Sequence, residues 1–202
     1  MSRSILIDLQ YLPCLNYFSE IAACDTIYIE AQENFQKQTY RNRCEILSSN
    51  GPISLTVPIV GETKKATIKK VEIDHTTFWQ NQHWKSIQSA YGKAPFYEDY
   101  SPYIKDVIMK KPTFLFDLNL NILTICLQLL NLSPVIKFTE EYEKLVENNV
   151  IDLRSTISPK KKIINPNSLA YVQLFGSNFV ANLSIIDLLF CEGPNAMSFL
   201  KR

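Results

Sequence analysis

The densest run of groups able to hold a ligand is Lys37-Gln38-Thr39-Tyr40-Arg41-Asn42-Arg43. In an extended chain alternate side chains share a face. Arg41, Arg43 and Glu45 then lie on one side, and Tyr40, Asn42 and Cys44 on the other. Two guanidinium groups about 7 Å apart on one strand can clamp a phosphate or carboxylate through paired N–H donors. The same residues also describe a solvated strand face whose arginines pair with acids such as Glu45, and such surface pairs are worth little. His83 is the second candidate, one of 2 histidines in the chain. It could serve as general base or hydrogen-bond donor in an aromatic-walled pocket. It could equally be a satisfied core residue, because Trp79, His83, Ile87 and Tyr91 recur at steps of four and form one stripe of a helix. Tyr91, Tyr97 and Tyr100 offer rings with polar tips, which line ligand sites and also fill cores. Phe96 reads as core.

Composition narrows the chemistry. Twenty-one basic and 20 acidic residues leave a net charge of +1, so there is no bulk positive field to hold nucleic acid. With 46% apolar and 20% charged residues the chain is globular in type. At 202 residues it can bury a full core without staples. The 5 cysteines are scattered with no CxxC pair, and neither histidine lies near clustered cysteine or aspartate, so no metal site is expected. Glycine-rich phosphate loops, Gly-x-Ser-x-Gly and His-Glu-x-x-His are all missing, and no cofactor can be named. The most apolar stretch, Phe114 to Leu132, is interrupted by Asp117, Asn119, Asn121, Gln128 and Asn131, which argues against a membrane span. The start lacks the long apolar core of a signal peptide. The expected setting is soluble, reduced and cytoplasmic.

The elements that must position these residues follow from periodicity. Ile5 to Leu9 reads as a buried strand, Pro13 to Cys24 as a helix entered through proline, and Thr26 to Ala31 as a second strand. Together they have the length of a βαβ unit with parallel strands. Arg43 to Leu47 and the alternating Ile53, Leu55, Val57 and Ile59 predict a hairpin around Asn50-Gly51. Ile68 to Ile73 adds a strand. Capping boxes are expected at Thr77 with Gln80 and at Ser184 with Asp187. Pro95 and Pro102 break the chain before a long apolar helix at Phe114 to Leu132. Residues 139–168 read as a mobile surface loop, and Tyr171 to Phe175 as a further strand. The fold class predicted is α/β: one domain over 1–202, a small mixed sheet from the βαβ start plus the hairpin, covered by helices. Tyr11 and the Lys37 to Arg43 run then lie beyond the carboxyl ends of the first two strands, where open α/β sheets bind ligands.

The chain resembles the WbqC-like family. Tyr11-Leu12-Pro13 with Asn16-Tyr17-Phe18 is similar to the family's opening motif. Ile29-Glu30 and then Lys37 to Cys44 resemble its central signature. Gly51, Leu55 to Pro58, Trp79, His83, Tyr91 to Phe96, Asp117-Leu118-Asn119, Asn182 to Ile185 and Glu192-Gly193-Pro194 continue the match. Cys14 departs from it, as does the lack of His-Gln-Pro before Tyr11. The resemblance implies an association with O-antigen and other surface-polysaccharide gene clusters. The function expected is a transferase acting on an activated sugar. The candidate substrate site is Tyr11, Lys37, Tyr40, Arg41, Asn42, Arg43 and Tyr91, with His83 as base toward a sugar hydroxyl or amine. The substrate would be a small molecule, phosphorylated or nucleotide-linked. The competing reading is a non-catalytic protein that binds a sugar-nucleotide or a partner enzyme. Nucleotidylyl transfer fits the opening strand-helix-strand outline, but the paired histidines it uses are absent between Leu9 and Phe18.

Overall fold

Two buried strands joined by a helix open the chain, as the apolar spacing predicts. The computed structural model describes residues 3–61, 65–143, 149–160 and 169–200. Strand β1 (Ser4–Asp8), helix α1 (Leu15–Ile21) and strand β2 (Thr26–Glu30) form the βαβ unit. The strands pair in parallel, with Ile5 opposite Ile27 and Ile7 opposite Ile29. These isoleucines are fully buried; branched side chains on alternate positions make one continuous apolar face. The helix begins at Leu15 and not at Pro13. Leu15 N–H donates to the Leu183 carbonyl (3.0 Å) and the Pro13 carbonyl accepts from Ile185 N–H (2.8 Å). A distant segment therefore sets the entry that a proline was expected to set.

Strands β3 (Arg43–Ser48) and β4 (Gly51–Thr56) are the hairpin, antiparallel with Ser48 opposite Gly51. Ser49 and Asn50 form its loop, and Gly51 opens β4 at φ +100°. Leu55 and Val57 are buried, as the alternation predicts. The hairpin does not join the parallel strands but forms a two-stranded sheet of its own. The segment 68–73 corrects the strand reading: Ile68–Lys70 is a 3₁₀ turn, and Ile59 with Ile73 and Glu72 with Phe114 make isolated bridges only. Ile68 and Val71 are both fully buried, which follows a period of three rather than two.

Helices α2 (Trp79–Tyr91), α3 (Tyr97–Met109) and α4 (Leu115–Leu129) follow. The stripe Trp79, His83, Ile87, Tyr91 is buried throughout. No capping box forms at Thr77: Phe78 is the N-cap, and Gln80 instead donates to the Lys110 carbonyl (3.3 Å). Pro102 sits inside α3 without ending it, on an exposed position.

Two further strands escape the periodic reading. β5 (Val135–Phe138) pairs with β2 and β6 (Val150–Asp152) with β1, both parallel, giving the order β5-β2-β1-β6. Residues 150–152 thus correct the loop expected over 139–168; residues 144–148 and 161–168 of that segment lie outside those described. Residues 171–175 form no strand. The chain closes with α5 (Ile185–Glu192) and α6 (Ala196–Leu200). Ser184 makes no side-chain cap, because Asp187 turns instead to Tyr171 and Gln173. Among the described residues no helix is long and apolar enough to cross a membrane. The architecture is α/β, with a four-stranded parallel sheet and a separate hairpin around one hydrophobic core.

Candidate functional site

Each of the two central strands ends in an acid, and both acids are buried: Asp8 is 1% and Glu30 0% exposed. Glu33 and Arg41 join them, also buried. Arg41 grips Glu33 with a two-pronged fork, Nε to Oε1 at 2.7 Å and Nη2 to Oε2 at 2.6 Å. The same Nη2 donates to Ser155 Oγ (3.0 Å) and lies 3.5 Å from Asp8 Oδ1. Asp8 also accepts from the Ser155 N–H (2.6 Å) and from Gln10 Nε2 (3.2 Å). Burial pushes the Glu33 carboxyl up, against the opposing pull of Arg41, and the negative charges of Asp8 and Glu30 add to the rise.

Glu30 connects this centre to an open cleft. Its Oε1 accepts from Gln32 N–H (2.8 Å) and Thr139 Oγ1 (2.7 Å), and its Oε2 from Arg154 Nη1 (2.9 Å). Arg154 forks onto Asp152 and lies over the Tyr142 ring at 4.8 Å. The cleft, of about 370 Å³, has Leu6, Tyr28 and Val150 in its lining together with Glu30, Thr139, Arg154 and the acids Glu140, Glu141 and Glu143. Leu6 and Tyr28 are register partners that alternate with the buried isoleucines, so the cleft occupies the sheet face opposite to theirs. From this face the cleft reaches the carboxyl ends of β2 and β5 at Glu30, Phe138 and Thr139.

The residues singled out from the sequence occupy different environments. Residues 37–42 are not extended; Gln38 has φ +60° and β3 begins only at Arg43. Arg41 and Arg43 therefore do not share a strand face. Lys37 is exposed, Arg41 is sealed at 1% exposure, and Arg43 is half-buried. The expected arginine clamp is not assembled, since the Arg41 guanidinium is held by Glu33. Asn42 is buried and donates to the Val57 carbonyl (2.9 Å), while Tyr40 is buried with its carbonyl accepting from Tyr11 N–H (2.8 Å). Tyr91 is fully buried, and its hydroxyl accepts from Leu47 N–H (3.0 Å).

His83 is 5% exposed, its Nδ1 2.9 Å from the hydroxyl of fully buried Tyr11 and its ring edge-on to Trp79. A backbone group of Thr56 also acts on the ring. Burial lowers the His83 pKa to about 4. The ring is buried against Tyr11 and Trp79 and does not line the cleft, which is the core arrangement and not that of a base facing a cleft.

Sequence reasoning missed Asp8, Gln10, Glu33, Thr139, Arg154 and Ser155, and gave Glu30 no role in the site beyond its place in the signature. One signal was available: an acid closing each of two otherwise apolar strands. Burial pushes the thiols of Cys14 and Cys126 up, to about 11 and about 12, so neither is a thiolate at neutral pH. Among the described residues no cluster of three or more His, Cys, Asp or Glu is placed to hold a metal ion.

Comparison with known proteins gives a consistent picture of kinship. An uncharacterized protein of Mycobacterium tuberculosis is 24% identical over 229 residues, spanning 100% of this chain and 98% of its own length. No solved structure matches significantly. The family model for the WbqC-like protein family matches residues 10–168 and 160–199, which takes in the Tyr11, Arg41 and His83 segments and the closing helices. The chain belongs to the WbqC-like protein family.

Proposed function

We propose that the protein serves the surface-polysaccharide pathway with which its family is associated, by binding a sugar intermediate in the cleft on the Leu6 and Tyr28 face of the parallel sheet. The observation that carries this reading is the cleft's chemistry: an aromatic ring and apolar floor below, carboxylates and a threonine around. Carboxylates accept hydrogen bonds from hydroxyl or amino groups, and the Tyr28 ring offers a face for a sugar's C–H side. Arg154, the cation of the lining, spends its donors on Asp152, Glu30 and the Glu143 carbonyl. A nucleotide's phosphates would therefore lie outside the cleft, with the sugar ring inside.

Binding fits the geometry better than group transfer. The base expected for transfer, His83, does not line the cleft; it is packed against Tyr11 and Trp79. The test is a thermal-shift and calorimetry panel of free hexoses, amino sugars and nucleotide-sugars. A ligand at 100 times its Kd stabilises by about 2.7 kcal/mol, which raises Tm by about 5–10 °C for a chain of this length. Tyr28→Ala should abolish the shift. A panel in which no sugar raises Tm refutes the reading.

A further inference from the structure

Next to the cleft, the sealed centre of Asp8, Glu33 and Arg41 contains two polar groups with nothing to bond. Tyr17 OH and Gln10 Oε1 are both fully buried and make no hydrogen bond, a rare condition for buried polar atoms. Both face this centre. Gln10 is held to Asp8 through its Nε2, and the Tyr17 hydroxyl feels the charges of Asp8, Arg41 and Glu33.

The centre is covered by residues 153–157, which continue from β6. Leu153 and Ile157 pack against the edge of the core, and the other links of the segment are polar. Leu153 N–H donates to the Leu6 carbonyl (2.8 Å), and Ser155 Oγ accepts from Arg41 and from Gln36 (3.3 Å). The Ile157 carbonyl accepts from Gln10 (3.2 Å), and Ser155 N–H is held by Asp8. Residues 153–157 are only half-buried, the adjoining Ile151 is 46% exposed, and Ser155 sits at φ +55°. A half-buried segment at the sheet edge, fastened at a strained serine over enclosed charges, opens at lower cost than the buried strands beneath it.

We propose that residues 153–157 form a strap that lifts to admit a hydrogen-bond-donating group of the bound sugar, a hydroxyl or an ammonium, to a subsite made by Asp8, Gln10 and Tyr17. The inference rests on the cleft being a sugar site. The class of group follows from donor and acceptor supply. Gln10 Oε1 and Tyr17 OH are idle, Asp8 gains capacity when Ser155 N–H leaves, and Arg41 has its fork closed on Glu33. Gln10 Oε1 only accepts and the Tyr17 hydroxyl can accept as well as donate, so a hydroxyl or ammonium can serve both. A phosphate brings acceptors only, and would meet Asp8, Glu30 and Glu33 together.

The test combines hydrogen–deuterium exchange with binding, using D-glucosamine, D-glucose and inorganic pyrophosphate as probes. In the free wild-type protein the amides of 153–157 should exchange well before those of β1 and β2, and a bound sugar should change their rate. Exchange of the strap only together with the strands overturns the proposal. Tyr17→Phe removes one hydrogen bond and no volume below the ring, so sugar Kd should weaken about 5- to 10-fold without loss of Tm. Unchanged affinity in Tyr17→Phe, with binding lost in Tyr28→Ala, overturns the subsite and leaves the cleft reading standing. Affinity unchanged in both variants, or no sugar bound by the wild type, overturns both. Pyrophosphate binding that depends on Tyr17 overturns the ligand class.

Discussion

Protonating His83 should loosen the fold, and the size of the effect follows from where the ring sits. In the unfolded chain a histidine titrates near 6.5; in the folded protein burial brings His83 down to about 4. Between these values the unfolded state holds the proton and the native state does not, so stability rises with pH across this window and is lost as pH falls. At 1.36 kcal/mol for each pH unit, the gap amounts to roughly 3 kcal/mol below pH 4. Asparagine cannot charge there, so His83→Asn should remove this component. It also loses a hydrogen bond to Tyr11 or Thr56, lowering stability at pH 7 by about 1–3 kcal/mol. Urea unfolding of both proteins from pH 4 to 8 gives the difference directly, and carboxyl groups common to both cancel. An imidazole NMR titration locates the native pKa independently. A native pKa near 6.5, or parallel stability curves for the two proteins, would refute the enclosed-histidine account and reopen a catalytic role for His83.

Three other perturbations probe the frame around the site. Arg41→Met should cost about 3–5 kcal/mol by stranding Glu33 and Asp8 in the interior, and adding Glu33→Gln should restore much of it in a denaturation-based double-mutant cycle; a single-variant loss under about 1 kcal/mol would mean that the centre is solvated. Burial raises the Asp187 pKa, despite hydrogen bonds from Tyr171 and Gln173. The native state therefore favours its proton, and Asp187 contributes stability below the unfolded carboxyl range that is lost as pH rises. Asp187→Asn should flatten that slope and equal or exceed wild type at pH 7 in thermal melts. Gly51→Val should destabilise by about 1–3 kcal/mol through backbone strain alone, since Gly51 lies at φ +100° with no atom within 4 Å of its would-be Cβ; a neutral result in chemical denaturation would show the turn can rearrange.

Local patterns were legible where a residue's environment follows from its near neighbours. Alternating isoleucines specify β1 and β2, Ile53 to Val57 specify β4, and the step of four from Trp79 to Tyr91 specifies the buried side of α2, because period and burial are coupled in any strand or helix. β5 and β6 were not legible. They are short, half-exposed edge strands, and their backbone groups find partners only because β2 and β1 are already in place. The two expected capping boxes do not form, and Gln80 and Asp187 bond to groups outside their own helix starts. The arginine-rich run announced a charged site in composition, and its extended geometry suggested an open clamp. The turn at Gln38 and the approach of Glu33, Asp8 and Ser155 made Arg41 an enclosed ion-pair partner instead. Charge pairing is decided by distances of a few ångströms between residues far apart in the chain, and those distances exist only once the sheet, the 31–43 turn and the strap have met.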